Sequence, residues 1–76
     1  MDEAATLHEL GKRIRAQRRH IGLTQEQLAL VADVDRSYDG AVERGERNIT
    51  FTVLCRLCLA LQCDAAMLTG GLPEAK

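Results

Sequence analysis

Apolar positions recur along this chain at helical spacing, in stretches broken by short polar turns. Leu7, Leu10 and Ile14 fall on one side of a helix predicted over residues 4–20, with Gly11 and Arg18 at the same spacing and other arginines on its flanks. Arg19 and His20 stand in its last turn, where positive charge suits the helix dipole, and Gly22 supplies a stop. Thr24 fits an N-cap in front of Gln25-Glu26-Gln27-Leu28-Ala29, the start of a second helix. Ala32-Asp33-Val34-Asp35 reads as a turn, and Asp35 caps a third helix running from Arg36 to about Arg44, closed by Gly45. A loop over residues 45–49 leads to Thr50, the N-cap of a fourth helix over residues 51–62 with the apolar face Phe51, Leu54, Leu57, Cys58 and Leu61. Asp64 caps a short fifth helix over residues 65–69, ended by Gly70-Gly71, and residues 72–76 read as a frayed tail. The expected fold is all-α: five helices in one domain over residues 1–76, ordered at about 7–69 with 70–76 trailing.

The second and third helices carry the functional signal. Two short helices, a turn of three to four residues and polar residues opening the second of them fit a helix-turn-helix. The matching pieces are Leu23-Thr24-Gln25, Gln27-Leu28-Ala29, Ser37-Tyr38 and, most specifically, Val42-Glu43-Arg44-Gly45-Glu46-Arg47-Asn48. Leu54, Leu57 and Leu59-Ala60-Leu61 fall where a fourth helix belongs. On these residues the chain resembles the Cro/repressor-type (XRE-like) helix-turn-helix regulators, over roughly residues 7–68. A stand-alone domain of this size is most similar, among them, to the controller proteins of restriction–modification systems. The resemblance implies a five-helix, lambda-repressor-like fold that binds a palindromic operator in double-stranded DNA as a homodimer and so regulates transcription. It also implies that Gln25 clamps a phosphate and that Glu43 ties the recognition helix back to an arginine, for which Arg13 is the expected partner. An activator would in addition touch RNA polymerase, through a surface the sequence does not single out.

Charge adjusts this picture without overturning it. The formal net charge of −1 argues at first against nucleic acid. The distribution argues for it: Lys12, Arg13, Arg15, Arg18 and Arg19 form one basic run, and Arg36, Arg44 and Arg47 bracket the third helix. Read without the motif, the basic run is a solvated helix face. No stretch is apolar enough to span a bilayer, and Met1-Asp2-Glu3 does not open a signal peptide, so a cytoplasmic protein is expected. Tyr38 and Phe51 are the only aromatic residues, which leaves a small aliphatic core that dimerisation would extend.

With the third helix in a major groove, its first residues meet base edges: Arg36, Ser37 and Tyr38, with Gly40 and Ala41 a turn on. Arg36 is favoured for bidentate contact to guanine over its alternative, a salt bridge to Asp33 or Asp35. Tyr38 either stacks on a thymine methyl or packs on the following loop. Gln25, Arg44, Arg47, Asn48 and Thr50 frame the readout with phosphate contacts, and Arg13 or Arg15 adds a longer-range attraction. The expected dimer surface is Leu61, Cys63, Ala66, Met67 and Leu68, with Leu61 and Cys63 turned inward and Met67 and Leu68 across the interface.

Other chemistry finds little support. Cys55 and Cys58 form a CxxC, with Cys63 beyond, but they lie in an apolar helix where cysteine acts as a small hydrophobe, so no metal is expected. No nucleophile, base and orienting group stand in a recognisable pattern, and neither an enzyme nor a cofactor is expected. The competing reading is a protein–protein adaptor or antitoxin-like module on the same fold, with weak or no DNA binding. Two residues depart from the family pattern. Asp33 stands where the turn usually carries glycine in the left-handed region, which Asp tolerates better than most. Asp39 stands at an inward position, on the side of Val42 and facing the second helix near Ala29, where the family places an aliphatic residue. A buried carboxylate there costs several kcal/mol unless it is relieved. Three arrangements are open: Arg13 or Arg36 reaches it, the helix turns to expose it, or it is a disruptive substitution.

Overall fold

The computed structural model describes residues 1–74, and within them the chain forms α1 (Glu3–His20), α2 (Gln25–Ala32), α3 (Arg36–Glu43), α4 (Phe51–Leu61) and α5 (Ala65–Thr69). The last two residues of the expected tail lie outside the described region. Each helix begins on a side chain that accepts a backbone N–H otherwise left orphaned in the first turn. Asp2 caps α1, Thr24 caps α2 in a full capping box with Gln27, and Asp35, Thr50 and Asp64 cap the other three. Helix α1 starts earlier than expected because Asp2 accepts from the Ala5 amide at 3.0 Å.

Helix ends follow equally local rules. Asp33 adopts φ 57°, ψ 50°, the left-handed conformation, so the Val34 amide folds back onto the Ala29 carbonyl at 2.9 Å and closes α2. Gln62 repeats the device after α4, with the Cys63 amide on the Cys58 carbonyl at 3.0 Å. At the end of α3, Gly45 holds φ 76°, and a Cβ there would stand 2.7 Å from the backbone of His8. A side chain is therefore excluded both by backbone conformation and by α1.

The core lies where the five helices meet. Ile14 of α1, Leu28 of α2, Val42 of α3, Leu54, Leu57 and Leu61 of α4 and Leu68 of α5 are all buried in one cluster. Polar side chains finish what packing leaves open. Gln17 is buried and donates to the Leu61 carbonyl at 2.9 Å, satisfying an acceptor in the last turn of α4. Arg13 reaches the carbonyls of Leu68 at 3.2 Å and Gly70 at 2.7 Å, fastening the end of α5 to α1. Leu72, beyond α5, packs partly buried against the core.

Phe51 does not join the apolar face of α4 as expected; it is 70% exposed. Helical side chains lean toward the N-terminus, so at the first position of α4 the ring projects past the end of the core rather than onto it.

Helix α1 crosses α3 with Gly11 at the point of closest approach: a Cβ on Gly11 would lie 2.5 Å from the carbonyl oxygens of both Val42 and Glu43. Only glycine permits that approach. Gly11→Ala should therefore push the helices apart at a cost of about 1–3 kcal/mol. In a domain of this size each kcal/mol lowers the melting temperature by roughly 4–8 °C. An unchanged thermal melt would show that the helices separate there without penalty.

Candidate nucleic-acid interface

The third helix is held from behind by one carboxylate. Glu43 sits buried at the end of α3 and gathers donors from two other helices. Arg18 of α1 lies against it with Nε 2.9 Å from Oε2 and Nη2 3.0 Å from Oε1, while Arg18 Nη1 donates to the Leu23 carbonyl at 2.8 Å. Arg15 adds a longer contact to Oε1 at 3.4 Å, and Gln25 Nε2 of α2 donates to the same oxygen at 3.2 Å. Burial alone would raise the Glu43 carboxyl, but hydrogen bonds from Arg18 and Gln25 and the charge of Arg18 outweigh it and hold the group below the usual carboxylate range. The expected partner, Arg13, is not part of this cluster. It pairs with Glu9 at 3.0 Å and points toward α5, because residues 13 and 18 lie on different sides of α1.

Asp39 lies one turn before Glu43 and is 0% exposed. Neither of its carboxyl oxygens meets a donor. Burial, then the neighbouring Glu43, pushes its pKa from 3.8 up to about 7; the Arg18 and Arg15 charges act the other way. Of the three arrangements left open by the sequence, two fail. Helix α3 does not turn to expose Asp39, and neither Arg13 nor Arg36 reaches it, since Arg36 lies 3.8 Å from Glu26 at the surface. Taking up a proton is the relief the surroundings favour, and burial raises its affinity for one.

With one side of α3 buried through Asp39, Val42 and Glu43, the other side presents the predicted reading residues. Asp35 accepts from the Ser37 amide at 2.8 Å and the Tyr38 amide at 3.2 Å, which fixes the start of the helix. Arg36 and Ser37 are exposed there and Ala41 is half-buried. Together with Gln25, Gly40 and Arg44, Arg36 and Ser37 line a polar cleft between the start of α2 and α3. Gly40 forms its floor: a Cβ would stand 3.2 Å from the Arg44 guanidinium and 3.6 Å from Gln25 Oε1. The sequence alternative for Arg36, pairing with Asp33 or Asp35, is replaced by the exposed approach to Glu26, too long and too solvated to hold it.

The loop after α3 is built on Tyr38. Its hydroxyl donates to the Asn48 carbonyl at 3.2 Å, and the Arg47 guanidinium lies 5.2 Å from its ring centroid. Tyr38 thus packs on the loop, the second of its two expected roles. Arg44 is drawn to Glu46 at 3.0 Å, Asn48 accepts from the Ile49 amide, and Thr50 accepts from the Val53 amide as N-cap of α4. Arg44, Arg47, Asn48 and Thr50 all remain exposed along one margin of α3.

The expected dimer surface needs revision. Leu68, expected across the interface, is fully buried within the monomer core beside the inward Leu61 and has no surface to offer, whereas Ala66 and Met67 are exposed and Cys63 is half-buried. Leu59, outside the expected dimer surface, is 81% exposed and shares a helical stripe with Phe51 and Cys55, four residues apart. That spacing was the available signal. Burial pushes the Cys58 thiol up to about 11, so it keeps its proton and behaves as core.

The helix-turn-helix family model matches residues 14–68. The chain belongs to the helix-turn-helix family of the Cro/repressor type. This is a family of DNA-binding transcriptional regulators, and the relatives of this helix-turn-helix protein include restriction–modification controllers. It is 41% identical over 59 residues to the control protein C.SmaI of Serratia marcescens, covering 78% of this chain and 70% of that protein. The restriction–modification controller protein C.AhdI of Aeromonas hydrophila superposes with a TM-score of 0.83 at 42% identity, over 84% of this chain and 97% of that one. The controller protein C.Esp1396I, solved as a tetramer with its natural 35 base-pair operator, gives a TM-score of 0.77 at 30% identity over 83% of each chain. No helix among the described residues of this helix-turn-helix protein is long and apolar enough to cross a membrane.

Two outcomes follow from the buried acids. Glu43→Ala leaves the Arg18 guanidinium buried without its anion and should cost about 3 kcal/mol or more, read by chemical denaturation; a loss below 1 kcal/mol would mean the pair is dispensable. Asp39 has the opposite signature. The unfolded chain sheds this proton near 3.8 and the folded chain near 7, so stability falls as pH rises through that window. Each pH unit there is worth up to about 1.4 kcal/mol. Melting temperature should therefore be higher at pH 5.5 than at pH 8, and Asp39→Val should raise it at pH 8 and flatten the slope. Coincident melts of the two proteins at pH 8 would show that Asp39 carries no burden.

Proposed function

We propose that this chain binds a pseudo-palindromic operator as a homodimer, in the cytoplasm, and regulates restriction–modification genes by occupying it. The observation that carries the reading is the polar cleft at the start of α3, where Arg36, Ser37, Gln25 and Arg44 surround the bare backbone of Gly40. A guanidinium and a hydroxyl at the N-terminal end of an exposed helix suit base edges in the major groove. Gln25 at the capped start of α2 suits the adjoining phosphate, and Arg44, Arg47, Asn48 and Thr50 suit the next ones along. Tyr38 supports Arg47 from beneath rather than reading bases itself.

The homodimer is supported by the exposed apolar residues of α4 and α5, Leu59, Ala66 and Met67 with half-buried Cys63, which a second copy would cover. Two copies would set their recognition helices about 34 Å apart, one turn of duplex. An activating mode would add a contact to RNA polymerase from the DNA-bound dimer. The relatives named above support the reading through the controllers' role and the operator bound by C.Esp1396I. The polar groups of the cleft serve contact rather than catalysis: an amide, two guanidiniums and a hydroxyl include no base to activate a nucleophile.

Mobility-shift titrations with duplexes selected from a random pool provide the test. Binding should show two chains per site and weaken by at least about a hundredfold between 50 and 200 mM salt as counterions are retained. Arg36→Ala should cost about 1–3 kcal/mol on the selected duplex and little on random DNA. Failure to shift any duplex, or binding indifferent to salt, would replace the operator reading with that of a protein adaptor.

A further inference from the structure

We propose that Asp39 is a positioning residue whose proton is linked to DNA binding, the protein holding duplex tightly with this carboxyl neutral and weakly with it ionised. The inference rests on the operator-binding reading above.

The geometry leaves an ionised Asp39 without a free partner. It is enclosed on every side, and both oxygens lack a donor. The groups facing it are Glu43 from its own helix and Arg18 and Arg15 from α1. From α2 the neighbouring polar group of this cluster is the Gln25 amide, which reaches Glu43. All three nitrogens of Arg18 already serve other acceptors, Nε and Nη2 on Glu43 and Nη1 on the Leu23 carbonyl. The weakest attachments to Glu43 are Arg15 at 3.4 Å and Gln25 at 3.2 Å. A second negative charge one turn away competes for the donors that now serve Glu43, and drawing on the weakly attached Arg15 or Gln25, or shifting α3, is the adjustment this packing offers.

Either adjustment reaches the DNA-facing surface. Gln25 stands at the start of α2 with its Oε1 over Gly40, the residue next to Asp39, in the cleft shared with Arg36 and Arg44. Moving its amide displaces the side chain expected to hold a phosphate. An added buried negative charge behind the recognition helix also repels the phosphates themselves. Both effects favour the neutral form, so bound duplex in turn strengthens the hold on the proton. The raised proton affinity of Asp39 puts the change within a range that a cell can reach.

The test is fluorescence anisotropy with the full chain and a labelled duplex selected at pH 6.5, read at constant ionic strength from pH 6 to pH 8.5. One linked proton limits the effect to tenfold per pH unit, and wild-type affinity should fall roughly tenfold between pH 6 and pH 8. Asp39→Asn, which keeps the shape and removes the titration, should lose that part of the slope while His8 and His20 remain in place. Thermal melts establish that it is folded, and Asp39→Val carries the same comparison if it is not. A slope in both variants equal to wild type, or a flat wild-type profile, overturns the proposal and leaves operator binding intact. Absence of binding at every pH overturns the operator reading, and this inference with it.

Discussion

The buried contact between Glu43 and Arg18 is the constraint on which the arrangement of this protein depends. A carboxylate and a guanidinium removed from water are costly unless each finds further partners. Here Glu43 collects Arg15 and Gln25 as well, and Arg18 adds the Leu23 carbonyl. One acid thereby fixes the angle of α3 against α1, the start of α2 and the turn between α1 and α2. Gly11 makes this possible by letting the α1 backbone approach the end of α3 closely enough for the arginines to reach. The same contact turns the polar side of α3 outward, because Glu43, Asp39 and Val42 point the other way.

Asp39 is the cost within that arrangement. An aliphatic side chain would pack there without penalty; an aspartate must take a proton or disturb its neighbours. Burial and the neighbouring Glu43 outweigh the charges of Arg18 and Arg15, both of which are engaged with Glu43, and so raise the carboxyl's proton affinity. The buried cluster thus places acids of opposite behaviour one helical turn apart: Glu43 is held ionised by its donors, and burial drives Asp39 toward its neutral form.

The helices and their limits were legible in the sequence because the decisive interactions are local. Thr24, Asp35, Thr50 and Asp64 cap where their side chains sit beside the amides they serve, and Asp33 takes the left-handed turn expected of it. The inward position of Asp39 was legible from its spacing to Val42 as well. Partner choice was not. Arg13, Arg15 and Arg18 offer the same charge, and which of them meets Glu43 is decided by how α1 crosses α3. The outward apolar residues were misassigned for a related reason. Leu59 and Leu61 differ by half a helical turn, and one buries while the other does not; composition alone does not give that phase. Phe51 shows the same limit at a helix end, where the direction of the side chain overrides its place in the stripe.

The contact of Gly45 with His8 ties the loop after α3 to the first turns of the chain. The family pattern begins at residue 14, yet the loop bearing Arg47 and Asn48 leaves α3 through Gly45, directly against the backbone of His8. The first turns of α1 are therefore a wall against which that loop is moulded, and the surface proposed to face DNA is shaped in part by residues the family pattern does not include. Two chains with the same helix-turn-helix but different leading turns would present Arg47 from different heights. The first turns of α1 thereby set the height of a loop whose exposed residues lie about forty positions away in sequence.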